Sequence, residues 1–100
     1  ALGMAMAARL SVKEGHCGRA VAERLEALLH RDGLPTRLAA LPFTPSADAL
    51  LTAMGQDKKV ESGAITLILL QGLGDAFIAR DQDTGALLDF LKDEGQLPAL

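Results

Sequence analysis

One hundred residues make one small domain, able to bury only about two thirds of its extended-chain surface, and no apolar run approaches the ~20 residues that a membrane span needs. Ten basic against 13 acidic side chains leave a net charge of -3, which disfavours a generic polyanion binder, and the absence of Trp and Tyr removes the usual stacking platform for nucleic-acid bases. The single cysteine, Cys17, excludes an internal disulfide and fits a reducing, cytoplasmic setting. Hydrophobic residues are 49% of the chain and aromatics 3%, so the core has to be built from Leu, Ala, Ile and Val.

The first segment is helical. Leu2, Met6 and Leu10 recur at i, i+4 and i+8, with Ala5, Ala7 and Ala8 between them. The pattern is already under way at residue 1, without an N-cap or an initiator methionine, so a truncation inside a helix is expected. No basic region precedes it, as a signal peptide would require. The helix is predicted to end at Lys13 or Glu14, with Gly15 at C′. His16 and Cys17 then precede a second helix over 19–31. Its expected apolar stripe is Val21, Leu25, Leu28 and Leu29, with Arg19 and Glu23 as an i,i+4 pair and His30 in the last turn. Asp32-Gly33 ends it.

Pro35 and Pro42 mark an extended connection. A third helix starts either with Thr44 as N-cap and Pro45 at N1, or one register later with Ser46 as the cap. It carries Leu50, Leu51 and Met54 and stops at Gly55. Residues 64–70 and 76–79 read as strands joined by a short glycine-containing loop over 71–75. Thr84, or Asp83 before it, caps a last helix carrying Leu87, Leu88, Phe90 and Leu91 to a stop at Gly95. On that helix Lys92 is expected on a solvated face, and Asp93-Glu94 reads as a solvated end. The fold class is therefore mainly α (α+β): about four helices and one two-stranded β-hairpin, in a single domain over residues 1–100.

The junction between the third helix and the first strand is the most polar part of this scheme: Gln56-Asp57-Lys58-Lys59-Val60-Glu61-Ser62-Gly63. Chemistry is often held at such junctions on rigid scaffolds. Two adjacent ammonium groups there suit a phosphate or carboxylate, each being a compact charge with three donors. Lys58 and Lys59 are the candidate substrate-binding residues; a solvated charged loop is the alternative. Other patterns carry less. Gly72-Leu73-Gly74 is not a dinucleotide fingerprint, because Phe77 stands at the third glycine position. His16 and His30 lack a second ligand at i+3 or i+4, so zinc spacing is absent. His16-Cys17 reads as a helix start rather than a redox pair. Met4, Met6 and Met54 read as core filler. Asp81-Gln82-Asp83 lacks the glycine and glutamate of a calcium loop. No nucleophile–base arrangement can be argued from the spacings. No catalytic, cofactor-binding or metal-ligating residue is assigned.

Read together, three segments resemble 3-dehydroquinate synthase. They are the opening Ala1-Leu2-Gly3-Met4-Ala5-Met6-Ala7, the Gly33-Leu34-Pro35 step, and Asp57-Lys58-Lys59-Val60 followed by the apolar run 65–70 and Gly72-Leu73-Gly74. The ordered set covers nearly the whole chain. The resemblance implies the C-terminal part of a helical, metal-binding domain that follows an NAD-binding domain, itself a partner missing here. It implies conversion of a phosphorylated seven-carbon keto acid, DAHP, to 3-dehydroquinate with loss of phosphate, in the shikimate pathway toward aromatic amino acids. It also implies NAD and a divalent metal, zinc or cobalt, in the full-length parent, with the glycine-rich segment and the metal ligands upstream and neither group expected on this chain alone. Of the family's functional residues only the lysine pair is carried over, Lys58 or Lys59 reaching the substrate's anionic groups. A related sugar-phosphate cyclase and a non-catalytic helical interaction module remain as alternatives. Apolar surface on a truncated helix would favour a homo-oligomer.

Overall fold

The computed structural model describes residues 2–55 and 64–99. In chain order they form α1 (Leu2–Lys13), α2 (Arg19–Arg31), a short 3-10 turn (Leu38–Ala40), α3 (Ala47–Ala53), β1 (Ala64–Gly72), β2 (Asp75–Asp83) and α4 (Thr84–Glu94). The mainly helical expectation with one two-stranded antiparallel hairpin is met. The caps resolve two alternatives. The Ser46 Oγ accepts from the Ala49 N–H at 3.1 Å, so α3 takes the later register. The Asp83 carboxylate accepts from the Ala86 N–H at 3.0 Å, so Asp83 rather than Thr84 caps α4. Both remove an orphan first-turn donor.

The core lies between α1 and the inner face of the hairpin, closed by α3 and α4. Along β1 burial alternates: Ile65, Leu67 and Leu69 point inward, Thr66 and Ile68 outward. Met6 and Leu10 of α1, Leu51 and Met54 at the end of α3, and Leu87 and Phe90 of α4 meet that inner face in one cluster. A smaller cluster of Ala8, Ala22 and Leu25 seats α2 against α1.

Buried polar groups and glycines set the spacing. The Ser11 Oγ–H donates to the Ala7 carbonyl at 2.7 Å and its oxygen accepts from the Leu70 N–H at 2.9 Å, which ties α1 to β1. At Gly3 a Cβ would run into the Ala53 carbonyl, so only glycine lets α1 approach the end of α3 this closely.

Four expectations are corrected. The stripe of α2 keeps Leu25 buried and Val21 and Leu29 half-buried and gains a buried Ala22, but Leu28 is exposed. Leu88 is exposed too, because α4 packs through 87, 90, 91 and 94. Met4 is no core filler: it is 54% exposed. The second strand runs to Asp83 rather than ending at Ala79. Its outer half carries polar Arg80, Asp81 and Gln82 and pairs across a bulge, with Arg80 and Asp81 opposite Thr66 alone. Asp81 takes φ 58° there, a conformation that aspartate tolerates better than most residues. The extended connection between Pro35 and Pro42 holds the short 3-10 turn.

Candidate functional site

Lys58 and Lys59, with Asp57 beside them, lie outside the described residues. The described residues on the helical side of this stretch form a tight stem against β1. The chain leaves α3 through Met54, whose carbonyl accepts from the Ile68 N–H at 3.1 Å. Gly55 follows at φ 107°, so close to β1 that a Cβ would stand 2.6 Å from the Ile68 Cγ1. An L side chain would be strained there twice, by the backbone angle and by the contact. The helix-to-strand junction read from the sequence is thus anchored at its helical side to the middle of β1. Beside the stem opens a groove of about 250 Å³, lined by Gly3, Met4 and Ala7 of α1, Ala53 to Gly55, and Ile68, Leu70 and Ala76 of the hairpin. No lining residue is charged. The groove therefore offers shape and apolar contact.

The largest polar constellation has no counterpart among the sequence motifs. Glu94 is 4% exposed and so is not the solvated helix end read from the sequence. The Arg9 Nε–H donates to both Glu94 oxygens, at 3.0 and 2.9 Å, and Nη2 donates to Glu94 Oε1 at 2.7 Å and to the Thr36 carbonyl at 2.6 Å. Arg9 Nη1 donates to Glu26 at 3.1 Å. Glu26 also accepts from the Thr36 hydroxyl at 2.9 Å and from Arg37 Nε and Nη2 at 2.8 and 3.1 Å. Arg37 Nη1 reaches the Pro98 carbonyl at 3.1 Å. The Arg37 hydrogen bonds hold the Glu26 carboxyl below its ordinary value; the Thr36 hydroxyl and the charges of Arg9 and Arg37 add to this, against burial that raises it. Glu26 in turn raises the Arg37 guanidinium. Among the described residues no buried side-chain nitrogen or oxygen lacks a partner. This cluster is a tie across α1, α2, the connection and α4, in which both guanidinium groups and both carboxylates are engaged within the chain. One signal could have found it: Glu94 stands at i+7 from Leu87 and i+4 from Phe90, on the buried stripe of its own helix.

The remaining candidates stay apart. His16 stacks edge-on against Phe77 with ring centroids 4.8 Å apart, and its Nε2 lies 3.5 Å from a Glu14 oxygen. It pins the turn after α1 to β2, so it does more than start α2. His30 sits in the last turn of α2, as expected. Gly72 and Gly74 belong to a hairpin turn, not to a strand-to-helix turn. Among the described residues no three His, Cys, Asp or Glu side chains converge as a metal site.

Comparison with known proteins gives this arrangement its context. Residues 1–60 match the family described as 3-dehydroquinate synthase C-terminal. The chain belongs to that family. It is similar to the 3-dehydroquinate synthase of Brucella anthropi, 50% identical over 94 residues that make up 93% of this chain and 25% of the relative. The Caulobacter vibrioides 3-dehydroquinate synthase is 47% identical over 95 residues, 94% of this chain and 26% of the relative. That of Brucella ovis is 46% identical over 94 residues, 93% of this chain and 25% of the relative. The chain thus spans about a quarter of the length of the curated relatives it matches.

Proposed function

We propose that this chain works as the C-terminal portion of a 3-dehydroquinate synthase, an enzyme that converts DAHP to 3-dehydroquinate with loss of phosphate. The observation that carries the reading is the 50% identity to a 3-dehydroquinate synthase over 93% of the chain. The junction supports it, because the chain keeps Asp57-Lys58-Lys59 between a helix and a strand whose described parts are tightly joined. In this reading the ammonium groups of Lys58 and Lys59 meet the substrate's phosphate or carboxylate. As the bond to the leaving phosphate breaks, negative charge grows on its oxygens, and a positioned cation lowers that barrier more than it favours the ground state. Asp57 orients one lysine or caps the turn. The stem at Met54, Gly55 and Ile68 fixes where the chain leaves α3 for the junction.

NAD and a divalent metal supply transient oxidation and carbonyl polarisation when bound to such an enzyme. The described residues do not fit either group: none converge as a metal site, and the Gly-x-Gly lies in a hairpin turn. Their ligands are assigned to the preceding part of the polypeptide, and no step here is derived through them. The setting proposed is cytoplasmic.

The test is turnover by the full-length polypeptide that carries this segment. With NAD and zinc or cobalt supplied, DAHP should be consumed with equimolar release of inorganic phosphate and formation of 3-dehydroquinate. Release of phosphate from a different sugar phosphate, with none from DAHP, would assign the chain to a related cyclase instead.

A further inference from the structure

We draw no further inference here: the strongest candidate, the apolar surface of the connection between α2 and α3, where exposed Leu34 and Phe43 border two grooves that meet at Leu41 and Pro42, carries nothing, because nothing in the structure shows what covers it.

Discussion

Glu94 shows how a single side chain can change role between sequence and fold. Next to Asp93 at a helix end it reads as solvated, yet it is buried and holds Arg9 through three short contacts. Removing its charge strands a largely buried guanidinium that also serves Glu26 and Thr36. Glu94→Gln is therefore expected to cost about 1–3 kcal/mol of unfolding free energy, by the cost of leaving a buried charged group underpaired. Urea unfolding measures it directly. Lys92→Ala, on the exposed side of the same helix, should stay within about 0.5 kcal/mol. Glu26 adds a pH signature. Its folded value lies below the ordinary carboxylate value of 4.5, chiefly through Arg37. Its contribution is therefore fully present above that value and is lost as pH falls through the lowered folded value. Unfolding midpoints measured downward from neutral pH should show acid destabilisation beginning below about 4.5, and Glu26→Gln should be less stable at neutral pH but show a shallower acid limb.

At the scale of elements, periodicity and caps decide most of the fold. The bounds of α2, the stop of α1, the hairpin and the capping of α3 and α4 follow from local rules that the chain obeys. What local rules do not supply is which side of each helix faces its neighbour. Leu28 and Leu88 sit one position off their buried stripes, and only the packed fold shows that. Hydrophobicity alone makes the second strand too short because its end is polar. Arg80, Asp81 and Gln82 pair through a bulge whose hydrogen bonds are backbone ones and leave no mark in hydrophobicity. The closeness of α1 to α3 is equally invisible in the sequence, since a glycine in a helix signals nothing until the opposing backbone is placed. Gly3→Ala should push the two apart and cost about 1–3 kcal/mol, the usual penalty of overpacking, whereas ordinary helix propensity would favour alanine there. The sign of the change in melting temperature separates the two. Ser11→Ala should be comparably harmful, because the Leu70 N–H loses its acceptor.

For the whole molecule the fold is a platform. The Arg9–Glu26–Glu94 tie locks three helices together at one place, and the α3–β1 stem braces another, next to an apolar groove. The family is legible in the order of short segments along the chain, and the match over residues 1–60 bears it out. The candidate site is legible only as a pair of charges at a junction, in a chain that spans about a quarter of the length of the curated relatives it matches.

The most direct test of the central claim is the kcat/KM of the full-length enzyme for DAHP after replacing each lysine in turn. A hydrogen bond to a charged group contributes roughly 1.5–3 kcal/mol, so Lys58→Ala or Lys59→Ala should lower kcat/KM about tenfold to more than a hundredfold. Thermal stability should be unchanged, and Lys92→Ala should match the parent. Parental kcat/KM in both Lys58→Ala and Lys59→Ala would contradict the account and leave the junction a solvated turn.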